Sequence, residues 1–379
     1  MSSAVDLELL LDTVDQFGAK AERRLFGVEL PDGDLDAVAG LLVEAASIGL
    51  LADVDAEAGR WGVWGPHIDG EGLGLSLAVL RRLGRVCAGL AAAVHAQGLG
   101  VLLLGAGDRP AGLPAGARVG AGFSPPFGVA LDPRTMGDGL MLVDGRLNGT
   151  ARFVLVAGAA DAVVLAARTG AGPGAQRVLL ALPTGTAGLR VVPTGDRIGL
   201  RATAMLDVIA EDAAVPAGAQ RLVGAPAEHR LRTVIACDWL GQAAVALGCA
   251  ERAVADASAY TASRIQGGVT ICEHAAVRLL LARAEHDAAV VASMLDRHAA
   301  TPLGELDTTA LLRWAADARL TAGEHATRAV TDALQTLGGY GYMDEYGLSK
   351  RLRDVTALRV LHGGPGQLLL ARHDLEAAR

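Results

Sequence analysis

The sequence predicts an α+β protein in three consecutive parts: an N-terminal helical domain (1–112), a central antiparallel β domain (113–222) and a C-terminal helical bundle (223–379). Three observations carry that expectation. From residue 5 to about residue 112, apolar residues recur at helical spacing. Over the next stretch, short apolar runs alternate with turn residues. From about residue 225 onward, long helical patterns return. Helices and strands do not alternate, so the order of elements is not that of a doubly wound nucleotide-binding fold.

In the first part, "LDAVAGLLVEAASIGL" places Leu35, Val38, Leu42 and Ala46 on one helical face, and "LSLAVLRRLGRVCAGLAAAVHAQGLGVLLLG" continues the pattern. The Gly-rich "GEGLGLSL" follows no strand and is therefore weak as a dinucleotide loop. In the second part the strands are expected in "LMLVDGRLNGTARFVLV", "DAVVLAART", "QRVLLALPTGTAGLRVVPTG" and "ATAMLDVIAEDAAVP", with "VDG" and "LNG" as hairpin turns. The third part holds "RLRTVIACDWLGQAAVALGCAERAVADASAYTASR", "EHAAVRLLLARAEHDAAVVASMLDRH" and "TALLRWAADARLTAGEHATRAVTDALQTLGG". Its small-residue run "GQAAVALGCAERAVADASA" is expected to pack closely between the bundles of two subunits.

A chain of 379 residues can bury a large core, and 51% hydrophobic residues exclude global disorder. The formal charge of -8 leaves no electrostatic footprint for nucleic acid or an anionic membrane. The four cysteines, Cys87, Cys237, Cys249 and Cys272, sit in apolar or helical stretches with no CxxC pair and no metal-ligand spacing. They read as core thiols of a reducing, cytoplasmic compartment. The acidic N-terminus lacks the basic start of a secretory signal, and runs such as "LGVLLLGAG" fall short of the roughly 20 residues a membrane span needs.

The C-terminal stretch "QTLGGYGYMDEY" followed by "RLRD" matches the pattern Q-x-L-G-G-x-G-Y-x-x-E-Y and R-D. With it, the sequence resembles the acyl-CoA dehydrogenase family over nearly its whole length. "LNGTARFVLVAGAADAVVLAAR" is similar to the strand pair that flanks the flavin, "AEDAAVP" to the end of the β domain, and "LAAAVHAQGLG" to an N-terminal helix. "SRIQGGVTICEHAAVR" resembles the segment that reaches a neighbouring subunit's flavin. The resemblance implies a four-helix C-terminal bundle and FAD held between the β domain and that bundle. It also implies an oligomer, either a homotetramer or a heteromer with a related subunit. The reaction implied is α,β-dehydrogenation of an acyl-CoA or acyl-carrier thioester, with electrons passed to an electron-transfer flavoprotein. By the same resemblance, Gln335, Gly338 and Gly339 meet the adenine or ribose, and Arg264 meets the pyrophosphate. Guanidinium suits phosphate, and paired glycines let a ligand approach the backbone. Read without the resemblance, Gly338 and Gly339 form a helix cap and tight turn, and Arg264 is a solvated residue at a helix end.

Several positions depart from the family pattern. The stacking Trp becomes Phe153, and the Thr that would hydrogen-bond the flavin becomes Leu155. The T-E-P loop reads Ser124, Pro125, Pro126, with Ser124 kept as a cofactor contact. Gly267 stands where an aromatic is expected, and Ala275 where a Gln is. The family's catalytic Glu loop reads Leu361, His362, Gly363, Gly364 and is shorter. The alternative base position on the first bundle helix reads Leu231, beside Arg232.

His362 is therefore the candidate base, since a neutral imidazole titrating near 6.5 can take a proton at physiological pH. The competing reading is a partly exposed loop histidine. Glu228 and His229 come next as helix-start charges, and Asp238 after them. Two further readings stay open: a non-catalytic subunit of a heteromer, and a flavoprotein of diverged biosynthetic chemistry, such as an oxygen-using or non-dehydrogenating reaction.

Overall fold

A computed structural model describes residues 3–25, 35–54, 62–65, 67–105, 113–114, 116–123, 139–170, 174–216 and 218–377. Five helices come first: α1 (Ser3–Leu25), α2 (Asp36–Ser47), α3 (Ile68–Glu71), α4 (Gly74–Val86) and α5 (Ala88–Leu104). The buried face of α2 is Val38, Leu41, Leu42 and Ala45, whereas Ala46 is exposed. The expected stripe was displaced by one residue at its end because a helix turns 100° per residue and Ala45 completes the face. α5 has almost no exposed side and runs through the core.

The strands β1 (Val119–Gly122), β2 (Leu140–Val143), β3 (Arg146–Val156), β4 (Ala162–Arg168), β5 (Arg177–Pro183), β6 (Leu189–Pro193), β7 (Ala204–Ala214) and β8 (Gln220–Val223) form one sheet, seven of them in the order β6-β7-β3-β2-β4-β5-β8 with β1 paired to β4 off that path. Pairing is antiparallel except where β4 runs parallel to β1 and β2. Alternate residues serve opposite faces. Leu155, Val164 and Leu179 join the helical core, while Val154, Val163 and Leu180 fill a second core on the other face.

The β2–β3 hairpin turns at Asp144 (φ 48°) and Gly145 (φ 75°), the left-handed pair a tight primed turn requires. "LNG" makes no turn. Asn148 and Gly149 lie inside β3 at a register irregularity opposite β7, where the Asn148 side chain accepts from the Asp212 N–H at 2.8 Å. A second irregularity in the same pair falls between Ala151 and Val154, at Phe153.

The bundle comprises α6 (Ala225–Ser263), α7 (Ala275–Asp296), α8 (Thr308–Thr336), α9 (Leu348–Val360) and α10 (Pro365–Ala377). An exposed hairpin of β9 (Ile265–Gln266) and β10 (Val269–Thr270) joins α6 to α7. α6 is long and apolar enough to cross a membrane by composition, but 94% of its apolar window is buried inside the protein, so it is the central core helix. The small-residue run of α6 packs within its own chain rather than between subunits. A Cβ on Gly248 would overlap the Arg81 carbonyl, and one on Gly84 would press on the Val245 carbonyl, so these glycines let α4 and α6 touch backbone to backbone.

α9 is pinned to the β domain. Buried Asp354 accepts from the Leu200 N–H at 2.7 Å and from Lys350 Nζ at 2.8 Å. This fixes where the α9–α10 loop, and hence His362, meets the sheet.

Candidate active site

Three helices, α5, α6 and α8, the strand β3 and two loops converge on one buried polar cluster. Asp238 is a single charge in an apolar stretch of α6 and is wholly buried. Its Oδ2 accepts from His362 Nδ1 at 2.9 Å and from Gln242 Nε2 at 2.9 Å. Its Oδ1 lies 3.2 Å from His95 Nε2 on α5. Trp64 donates its indole N–H to His95 Nδ1 at 2.8 Å. Arg319 of α8, 2% exposed, donates to Gln242 Oε1 at 2.9 Å and to the Leu361 carbonyl at 3.4 Å.

Donor chemistry sets the protons. An indole N–H can only donate, so His95 Nδ1 accepts, and its proton sits on Nε2, facing Asp238. His362 is different. Its Nδ1 faces a carboxylate, and its Nε2 lies 2.9 Å from the Phe153 carbonyl. These nearest partners only accept, and the one donor in reach, Gln242 Nε2, is farther from Nδ1 at 3.4 Å, so the geometry favours the imidazolium. Burial works against that charge, but the Asp238 carboxylate and the Phe153 carbonyl outweigh it and raise the His362 pKa above the ordinary value. Burial likewise opposes the Asp238 charge, yet His362 and His95 leave its carboxyl well below the usual range. The neutral imidazole expected from the sequence is therefore replaced by its conjugate acid in this geometry. The His362 side chain is 7% exposed, so most of it is enclosed although it sits in a loop.

Three of these residues have left-handed backbones: Trp64 (φ 62°), Phe153 (φ 57°) and His362 (φ 52°). Such conformations cost bulky residues about 1–3 kcal/mol and persist where surroundings enforce them. At Phe153 the β-bulge turns the ring out of the sheet, 46% exposed, with its N–H donating to Asp207 Oδ1 at 3.2 Å. The buried Phe123 ring packs on His362 at 5.3 Å between centroids. The site thus presents an exposed aromatic face beside a buried, carboxylate-held imidazole.

A cavity of about 500 Å³ lies between α5, the start of α6 and the start of α8, lined by Trp64, Ile68, Val101, His229, Thr233 and Leu311 among others. Trp64 belongs both to this cavity and to the chain of hydrogen bonds leading to His362. Among the described residues no cluster of three ligating side chains could hold a metal.

The remaining expected contacts gather elsewhere. Gln335, Gly338 and Gly339 are exposed at the end of α8. Gly338 (φ 57°) takes the left-handed turn after the helix, and a Cβ on either glycine would meet nothing within 4 Å. Arg264, at the end of α6, lies 5.6 Å above the Tyr340 ring. Tyr260, Tyr340 and Tyr346 stack around it with centroids 5.5 to 6.2 Å apart. These residues do not join the Asp238 cluster. Ser124 lies outside the described residues.

Leu231 and Leu155 are buried, at 0% and 3% exposure, and offer no polar group. Glu228 pairs with Arg177 and Arg232, and His229 meets Thr308 Oγ1 at 3.1 Å, so neither reaches His362. Sequence reasoning placed Asp238 last and omitted His95, Trp64, Gln242 and Arg319. The available signal was a lone Asp and a lone His within otherwise apolar helical stretches, where burying them requires partners.

A sequence model described as acyl-CoA dehydrogenase, C-terminal domain, matches residues 237–371. The cyclohex-1-ene-1-carbonyl-CoA dehydrogenase of Geobacter metallireducens is 31% identical over 304 residues, 76% of this chain and 79% of that protein. The short-chain specific acyl-CoA dehydrogenase of Megasphaera elsdenii is 29% identical over 220 residues, a match that spans 57% of this chain and only 56% of that protein. The structure of butyryl-CoA dehydrogenase from Megasphaera elsdenii superposes with a TM-score of 0.77 at 23% identity, covering 98% of each chain. Fold, C-terminal signature and a relative matched over more than two thirds of both lengths agree: the chain belongs to the acyl-CoA dehydrogenase family.

Proposed function

We propose that this chain is an FAD-dependent oxidoreductase that dehydrogenates an acyl-CoA or acyl-carrier thioester at Cα–Cβ, with His362 as the base. The observation that carries the reading is the position of His362 in the α9–α10 loop, gripped by Asp238 and turned toward Phe153 on β3.

The residues present fit a flavin. Phe153 offers an exposed aromatic face for a planar ring, and Arg264, Gln335 and the open Gly338–Gly339 backbone offer donors without side-chain obstruction. Leu155 leaves one ring hydrogen bond of the family unmade. A bound FAD would supply the acceptor for the β-hydrogen and its electron pair. The chain's own part is the proton. Nδ1 of His362 is engaged by Asp238, so Nε2 is the atom that takes the α-proton. For that role its 2.9 Å contact with the Phe153 carbonyl has to open. The hydrogen-bonded state described above corresponds to the base after it has received that proton.

The proposal extends to partners: an electron-transfer flavoprotein as oxidant, and an oligomer that completes the exposed half of the cofactor site. Support for the oligomer comes from apolar residues left exposed near that half-site. Ile265 (65%) and Tyr342 (87%) lie on the hairpin and the α8–α9 connection, and Leu279 (67%) on α7.

Anaerobic addition of a panel of acyl thioesters to the purified flavoprotein tests the reading. Bleaching of the flavin is expected with at least one of them. His362→Ala should slow it by about a hundredfold to ten-thousandfold with flavin content unchanged. Near-normal bleaching by the alanine variant would remove His362 as the base, and a colourless protein would point to a non-catalytic subunit.

A further inference from the structure

Asp238 does more than neutralise a buried charge. Its two oxygens are both engaged, Oδ1 by His95 and Oδ2 by His362 and Gln242. Gln242 is in turn held by Arg319, and His95 by Trp64. A buried carboxylate held by partners on both oxygens is restrained from rotating, so the direction in which it points its charge is set by α5, α6 and α8 together.

The groups facing His362 come from each element packed on its loop. From α6 they are Asp238 and Gln242. α8 contributes Arg319, placed behind Gln242 and the Leu361 carbonyl. β3 contributes the Phe153 carbonyl, and Phe123 contributes an uncharged ring. Asp238 is the only anion among them, and a second imidazole, His95, draws on its other oxygen.

We propose that Asp238 is a positioning residue for His362: it keeps a proton on Nδ1, leaves the lone pair on Nε2, and stabilises the imidazolium formed on proton uptake. The inference rests on the assignment of His362 as the base. In the step itself the substrate Cα–H bond breaks and an Nε2–H bond forms. The electron pair of that C–H bond stays on the substrate, and Asp238 remains a carboxylate throughout. Without the carboxylate, nothing compels the neutral ring to carry its proton on Nδ1. An amide at this position can turn its NH₂ toward Nδ1 and select the tautomer whose Nε2 is already occupied.

His95 acts one step further back. By donating to Oδ1 it disperses part of the Asp238 charge, so removing its N–H should strengthen the hold of Asp238 on His362. The two variants are thus expected to move the same titration in opposite directions. A purely packing role for Asp238 would not produce that pair of signs.

The test follows the His362 ring nitrogens by NMR in histidine-labelled holoprotein, alongside the pH dependence of anaerobic flavin bleaching. Wild-type His362 should titrate above the ordinary imidazole value, with a bleaching limb at the same pH. Asp238→Asn should lower both by about one pH unit or more and cut the plateau rate about tenfold or more. Asp238→Glu should restore part of the limb position, and His95→Phe, which keeps a ring but has no N–H, should move the limb upward. An unchanged His362 titration in Asp238→Asn overturns the proposal. If that variant does not fold, an unmoved or lowered limb in His95→Phe overturns it instead. Failure of the base assignment looks different: His362→Ala bleaches normally although the His362 titration still answers to Asp238. Abolished bleaching in Asp238→Asn at every pH, with normal bleaching in His362→Ala, would make Asp238 itself the base.

Discussion

The α9–α10 loop and the α8–α9 connection both carry glycines, an aromatic neighbour and charged groups, yet they are built oppositely. Around His362 every polar atom finds a partner inside one chain, and the side chain is 7% exposed. Around Gly338 and Gly339 the backbone is open, and Tyr342 stands 87% exposed. The first region is complete by itself. The second is open to solvent, as the shared cofactor site proposed above would require. The difference teaches that glycine has two uses here. In the interior it admits another group, and on the surface it leaves room for one.

The contrast breaks most severely at Asp238. Asp238→Ala leaves two imidazoles, His95 and His362, and the Gln242 amide without their shared acceptor. Removing one partner of a buried charge pair costs about 3–5 kcal/mol. Chemical denaturation should show a loss of that size, with thiol exposure of Cys237, its buried neighbour, as a second probe.

A matched pair of substitutions sharpens the comparison. Gly241 faces the His95 ring across the α5–α6 contact, and a Cβ there would overlap it. Gly241→Ala should cost about 1–3 kcal/mol by overpacking and should shift the bleaching pH profile through His95. Gly339→Ala meets nothing within 4 Å. Its effect on folding should stay within about 0.5 kcal/mol. Its effect should appear instead in flavin retention or subunit association, measured by absorbance ratio and sedimentation. Equal stability losses at the two glycines would erase the distinction.

The smallest effect is a slope of stability with pH. The folded-state pKa of His362 is raised, so its contribution is fully present below the unfolded value of about 6.5 and is lost as pH rises through the folded value. Asp238 has the opposite sign: its lowered pKa contributes above about 3.9 and fails only in strong acid. Melting temperatures should therefore decline on the alkaline side of 6.5 in the wild type. That decline should flatten in Asp238→Asn.

Much of this was legible in the amino-acid order alone. Periodicity located the helical and strand regions because burial on one face must repeat every 3.6 or every 2 residues. The Asp144–Gly145 turn was readable because only such residues accept two left-handed conformations in succession. The C-terminal signature brought the family, and the loop holding His362 followed from it. The tertiary structure alone decided the rest. Asn148–Gly149 became a bulge rather than a turn because β7 continued to pair past it. The small-residue face of α6 was spent inside the chain because α4 lies against it. Above all, the charge state of His362 depends on Asp238, 124 residues away, and on a backbone carbonyl 209 residues away. Local sequence determines which groups can titrate. Which form they hold is set by partners that only the closed fold brings within 3 Å.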